Sequence, residues 1–183
     1  MVVKSLSYIQ DPYELELLDG CMQHDRNAQR ALYNKYKDAM YTLLVRMFND
    51  EEDAADALQE AFIEVFRSLK NYRGASSLGA WIKTIVIRSA LCKQKTIRPF
   101  EPMSEFIQDH QPIVWDVNLT GEYLEKAIQK LPAGYRNVFL LVEVEGYTHR
   151  EVAKILGIAE GTAKSQLFQA KKMLQRLLKD LME

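Results

Sequence analysis

Two amphipathic helical patterns that meet at a single glycine, Gly157, constrain this chain more than any other feature. On the near side, Thr148 and Glu151 have capping-box spacing, and Val152, Ala153, Ile155 and Leu156 form a short apolar face. On the far side, from about Gly161, an apolar stripe runs through Ala163, Leu167, Ala170, Leu174, Leu177 and Leu181 at alternating spacings of four and three. A short helix stopped by glycine and followed by a longer one fits a helix-turn-helix, which would place its second helix in the DNA major groove; the alternative is an ordinary helical hairpin with a solvated polar face. Thr162, Ser165, Gln166, Gln169 and Lys172 fall off the stripe, where they can meet a ligand. Gln166 and Gln169 offer paired donors and acceptors to base edges, while Lys164, Lys171 and Lys172 suit phosphates. The N-terminus of the second helix adds backbone N–H groups aimed at phosphate. His149 reads as a surface residue in the first turn of the supporting helix.

The rest of the chain is helical too, with no convincing period of two. Asp11, Pro12 and Glu14 resemble a cap, a first-turn proline and a capping-box acid for a helix to about Met22. Asp25 caps a second helix with Ala28, Leu32, Tyr36, Ala39, Leu43 and Met47 on its apolar face. A third helix follows Asn49 and Asp50, burying Ala54, Ala57, Leu58, Ala61, Phe62, Val65 and Leu69. Residues 71–77, with Gly74, read as an ordered loop. A fourth helix then carries Leu78, Trp81, Ile82, Ile85, Val86 and Ala90 inward. Residues 99–119 hold three prolines and no helical period, which makes them a linker. Fully extended, that linker reaches roughly 70 Å, about two turns of duplex. Its Phe100, Phe106, Ile113 and Trp115 are equally suited to a partner and to this protein's own surface. Beyond it, Thr120 caps a helix through Lys130, and Pro132 opens the next, which ends near Gly146. The predicted fold is all-α: two small helical domains, 1–98 and 123–183, joined by a flexible linker, 99–122.

At 183 residues with 48% apolar and 27% charged side chains, the chain has an ordinary globular composition. No apolar run is long enough to span a membrane, and residues 1–12 lack a secretory stretch, so the expected compartment is the cytoplasm. Cys21 and Cys92 have no metal-ligand spacing to each other or to a histidine, and both read as partly buried free thiols. No nucleophile–base pair, phosphate loop or metal cluster is visible, so no catalysis and no cofactor are expected. The net charge of −1 conceals strong segregation. Residues 50–64 hold seven acidic side chains and no Lys or Arg; residues 66–98 hold eight basic ones and no Asp or Glu. Residues 99–122 hold five acidic side chains and again no basic one. Alternating blocks suit separate surfaces for separate partners.

The segment LPAGYRNVFLLVEVEGYTHREVAKILGIAEGTAKSQLFQAKKML, together with DEEDAADALQEAFIEVF and LKNYRGASSLGAWIKTIVIRSAL, resembles the extracytoplasmic-function group of bacterial RNA polymerase sigma factors. The resemblance covers residues 28–98 and 123–180, about two thirds of the chain. It implies that the C-terminal domain reads the promoter −35 element, with Thr148, Thr162, Lys164, Ser165, Gln166, Gln169 and Lys172 as the contacts. It implies that Glu52, Asp53, Asp56, Gln59 and Glu60 bind the clamp helices of the polymerase largest subunit, and that the second-largest subunit's flap is a further partner. Carboxylates three or four apart share a helix face and meet a basic partner as a patch.

The basic block would then belong to the −10 element, with Lys83, Arg88, Lys93, Lys95 and Arg98 on phosphates. Asn71, Tyr72, Arg73 and Ser76 fall in the loop that captures an extruded base in the family. Holding open a melted duplex requires a surface that replaces lost stacking, on the order of 1–3 kcal/mol per base, and Tyr72 is the candidate. Trp81 is placed in the core. The acidic linker would thread the polymerase channel that RNA later occupies, and an anti-sigma protein is an implied partner. The pattern is broken at Arg88, where asparagine is usual, and at Cys92, where aspartate is frequent. Ala159 replaces a serine or threonine cap, and Gln166 stands where arginine is common.

A second reading is an autonomous helix-turn-helix regulator of the LuxR type, which would bind DNA unaided, as a dimer on a two-fold site. A purely protein-binding helical adaptor would leave the basic bias of residues 66–98 unexplained.

Overall fold

The first domain is organised around α3, Glu51–Ser68, which lies against both the long helix before it and the one after it. The computed structural model describes residues 12–97 and 121–182, and the chain divides into two units, 1–97 and 98–183. The expected caps Asp11 and Thr120, the linker 99–119, Arg98 and the side chain of Leu181 lie outside the described residues.

In the first unit α1, Pro12–Met22, precedes α2, Arg26–Phe48; α3 is followed by a single 3-10 turn, Leu69–Asn71, and by α4, Leu78–Ile97. Local chemistry sets the boundaries. Asp25 accepts from the Asn27 N–H at 2.7 Å to open α2. Asn49 closes α2 in the left-handed region, φ 57°, with its N–H on the Val45 carbonyl. Asp50 then opens α3 by accepting from the Asp53 N–H at 2.9 Å. Glu51, Glu52 and Asp53 sit in that first turn, where carboxylates complement the helix dipole.

All seven residues expected inside on α3 and the turn after it are buried. Packing departs from expectation elsewhere. On α2, Ala39 is exposed and Met40 and Leu44 take the interior instead. On α4, Trp81 and Ile85 are only half-buried, whereas Ile87 and Leu91 join Leu78, Ile82, Val86 and Ala90 inside. Residues such as Leu44, Ile82 and Ile87 are fully covered, each contributing roughly 1.5–3 kcal/mol of apolar burial. Gln94, buried at 8% exposure, donates from Nε2 to the Met47 carbonyl at 2.8 Å and ties α4 to the last turn of α2. Gly79 lets α4 approach α2 closely, since a Cβ there would lie 3.0 Å from the Tyr36 ring. Glu14 holds α1 to α2 by accepting from Lys35 Nζ and Tyr36 Oη, each at 2.7 Å.

The second unit consists of α5, Gly121–Gln129; α6, Ala133–Phe139; α7, His149–Leu156; and α8, Glu160–Met182. Leu140–Val144 continues α6 as a π-helical turn. Arg136, 5% exposed, reaches back from α6 to donate to the carbonyls of Gln129 and Leu131 at 3.0 and 3.2 Å. It thereby satisfies acceptors that the end of α5 leaves without intrahelical partners. The buried line on α8 is Ala163, Leu167, Ala170, Leu174 and Leu178. Leu177, expected inside, is half-exposed. Gln166 is buried beside that line at 8% exposure, contrary to its expected place among ligand-facing residues.

Candidate functional site

The carboxylate surface is one face of α3. Glu52, Asp56, Gln59 and Glu60 are exposed, recur at helical spacing and share that face; Asp53, half-buried, lies at its edge. Ile63, 51% exposed, sits at i+4 from Gln59 and i+7 from Asp56, so an apolar side chain stands among the acidic ones. Its signal in the sequence is an isoleucine out of register with the Ala54-to-Val65 stripe.

The basic block does not form a single patch. Arg88 and Lys95 are exposed, seven residues apart on one side of α4, with exposed Cys92 between them and half-buried Trp81 seven residues before Arg88. Lys83 is half-buried and falls on a different side of the helix. Lys93 is turned away from the Arg88 stripe. Its Nζ lies 2.8 Å from Glu60 Oε1 and 3.7 Å from Asp56 Oδ2, and its side chain is 14% exposed. The Glu60 carboxylate holds the Lys93 ammonium above its ordinary pKa, with Asp56 and Asp53 adding to the effect. Lys93, expected on phosphate, is therefore engaged by the carboxylate surface.

The loop before α4 also departs from expectation. Asn71 and Arg73 are exposed and Ser76 is half-buried, but Tyr72 is buried at 8% exposure. Its hydroxyl donates to the Ser76 carbonyl at 2.6 Å, and its ring lies 5.3 Å from that of Trp81. Gly74, φ 68°, makes the turn between them possible. The burial of the two aromatics differs from expectation: Tyr72 is buried and supports the loop from inside, and Trp81, packed against it, is half-buried.

On the second unit, Gly157 terminates α7 in the left-handed region, φ 71°, and redirects the chain into α8. The capping box is complete. Thr148 Oγ1 accepts from the Glu151 N–H at 3.3 Å, and Glu151 Oε2 accepts from the Thr148 N–H at 2.8 Å. The hydroxyl also donates to Glu151 Oε2 at 2.7 Å; these bonds hold the Glu151 carboxyl below its ordinary pKa. Ala159 precedes α8 with no side-chain acceptor to offer, and helix formation there begins with its carbonyl accepting from Ala163 N–H.

Thr162, Ser165, Gln169 and Lys172 follow one another at spacings of three and four and form one side of α8, opposite the buried line. Exposed Arg176 extends the same side by four residues, a basic position that the reading of motifs passes over. Lys164 lies on the flank, paired with Glu160 at 2.8 Å, and Lys171 pairs with Glu143 at 2.8 Å. Among the described residues there is no cluster of metal ligands and no helix long and apolar enough to cross a membrane.

Residues 32–93 match the family described as Sigma-70 region 2, and residues 121–174 match Sigma-70, region 4. ECF RNA polymerase sigma factor SigM of Mycobacterium tuberculosis is 28% identical over 169 residues, covering 90% of this chain and 84% of its own. RNA polymerase sigma-H factor of Pseudomonas aeruginosa is 29% identical, covering 91% of this chain and 94% of its own. The sigma factor RpoE of Bartonella quintana, solved in complex with the anti-sigma factor NepR, superposes with a TM-score of 0.55 at 22% identity, over 82% of this chain and 96% of that one. The last of these shows a shared fold. Two regional matches in order, on either side of the undescribed segment, and relatives that align along nine tenths of the length lead to one membership: this chain belongs to the extracytoplasmic-function group of bacterial RNA polymerase sigma factors, proteins without enzymatic chemistry that direct the polymerase to promoters.

Proposed function

We propose that the chain divides this work among three surfaces. The α3 face with Glu52, Asp53, Asp56, Gln59 and Glu60 docks on the basic clamp helices of the polymerase largest subunit, and Ile63 supplies an apolar anchor within a charged rim. The α4 stripe of Trp81, Arg88 and Lys95, with Asn71, Arg73 and Ser76 in the loop before it, holds the separated −10 strand. Trp81 supplies the stacking surface and the cations meet phosphates. The α8 side with Thr162, Ser165, Gln169, Lys172 and Arg176 enters the major groove of the −35 element, supported by α7 and the Thr148 cap. Selective binding of the open strand shifts the melting equilibrium without hydrolysis.

The observation that carries this reading is the segregation of charge between two neighbouring helices of one small unit: carboxylates outward on α3, Arg88 and Lys95 outward on α4. The domain from 1 to 98 would thus serve polymerase and the −10 element, 123–183 the −35 element, and the acidic linker 99–122 the channel, with the flap of the second-largest subunit a further contact of the chain. Work of this kind takes place in the cytoplasm, with polymerase and DNA. Control by an anti-sigma protein is part of the proposal, in keeping with the complex in which the Bartonella quintana sigma factor was solved.

The test is reversal of the α3 charge. Asp56→Arg with Glu60→Arg should weaken binding to core polymerase by about 2–5 kcal/mol while helicity is retained. Unchanged core binding would refute the assignment of this face.

A further inference from the structure

We propose that Lys93 is a positioning residue for the polymerase-binding face, holding the Glu60 and Asp56 carboxylates in an outward, binding-ready pose from beneath. The inference rests on the reading that this face meets core polymerase. Lys93 belongs to α4, yet its ammonium spans two carboxylates one turn apart on α3, at 2.8 Å from Glu60 and 3.7 Å from Asp56. Exposure is sharply divided across the cluster. The Lys93 side chain is 14% exposed, whereas those of Glu60 and Asp56 are 57% and 65% exposed. The cation is therefore under the face and the anions are on it.

Three consequences follow from that arrangement. Asp53, Asp56 and Glu60 are like charges crowded on neighbouring turns, and the ammonium between the helices relieves their repulsion. One ammonium donor uses a small part of a carboxylate's acceptor capacity, so Glu60 and Asp56 keep lone pairs for a partner's guanidinium or ammonium groups. A glutamate side chain already fixed in one rotamer loses less freedom on binding. Opposing these gains, Lys93 lowers the net negative charge that attracts a basic partner, which acts mainly on the association rate. Its removal should therefore accelerate dissociation without slowing association. That combination separates positioning from simple attraction.

The experiment uses full-length protein and purified core polymerase, with association and dissociation rates measured for wild type, Lys93→Met, Lys93→Arg and Glu60→Ala. Open-complex formation on a promoter is followed at saturating sigma factor. Thermal unfolding confirms that each variant is folded. The expected result is a roughly threefold to tenfold loss of core affinity in Lys93→Met, carried by faster dissociation, with most of the affinity restored in Lys93→Arg. Open complexes at saturation should be unchanged. Normal core affinity with weakened, less salt-dependent open complexes would make Lys93 a phosphate ligand and overturn the proposal. Impaired Glu60→Ala beside unimpaired Lys93→Met would overturn the positioning role alone. Unimpaired Glu60→Ala would overturn the role of the α3 face itself. Should Lys93→Met fail to fold, Lys93→Gln takes its place, and the same outcomes decide.

Discussion

Tyr72 donates its phenolic hydrogen to the carbonyl of Ser76 at 2.6 Å, and this bond straps shut the loop that carries Arg73. Removing one hydroxyl tests whether the strap matters. Tyr72→Phe keeps the ring against Trp81 and should cost about 0.5–1.5 kcal/mol of stability. The midpoint of urea unfolding checks the magnitude. Open-complex lifetime should shorten in the same variant, whereas core binding should not change.

The two glutamines on α8 should behave differently. Gln169→Ala is expected to alter preference at the −35 element, by about 1–3 kcal/mol at the base it meets, with −10 preference intact. Gln166→Ala should act on stability and leave base preference alone, because Gln166 is buried beside the α8 core line. Binding of holoenzyme to promoters substituted at each position distinguishes the two. A shifted base preference in Gln166→Ala would contradict its placement.

That difference marks where the sequence was readable. On α3 the inward residues from Ala54 to Leu69 already follow the 3.6-residue turn, so the inward set was legible. On α8 a strict alternation of four and three runs through Leu177 and Leu181, but an α-helix turns at 3.6 residues and drifts by about 20° per heptad. The interior accordingly moves to Leu178; the burial of Gln166, off the stripe, is set by packing that no period encodes. The inward placement of Tyr72 goes with a hydroxyl finding a carbonyl four residues on, which no periodicity encodes. The Lys93 contact joins residues 33 apart in sequence and appears only once α3 and α4 lie side by side. Caps, by contrast, are local chemistry, and Asp25 and Thr148 were legible for that reason.

The capping box at α7 predicts an acid-sensitive helix. Glu151 has a folded-state pKa below its ordinary value, so its contribution to stability is complete above the usual carboxylate pKa of about 4.3. It is lost as the pH falls through the lower folded-state value. Thr148→Ala should cost about 0.5–2 kcal/mol at neutral pH and flatten this acid dependence. Unfolding monitored between neutral and acidic pH, in wild type and variant, checks both.

The two thiols should differ in reactivity. Burial, reinforced by Asp25, pushes the Cys21 thiol up to about 11, whereas Cys92 is exposed on the α4 stripe. A thiol reagent at neutral pH should therefore label native protein once and quickly, at Cys92, and reach Cys21 only on unfolding. Mass mapping of the labelled peptide identifies the site. Rapid labelling of both thiols in folded protein would contradict the packing of α1.

In vitro run-off transcription with purified core polymerase, on genomic fragments and with or without this chain, decides whether the chain directs the polymerase to promoters. Discrete start sites should appear only when the chain is added and disappear with Asp56→Arg and Glu60→Arg. Transcripts that are the same with and without the chain, alongside sequence-specific DNA binding by the chain alone, would contradict that role.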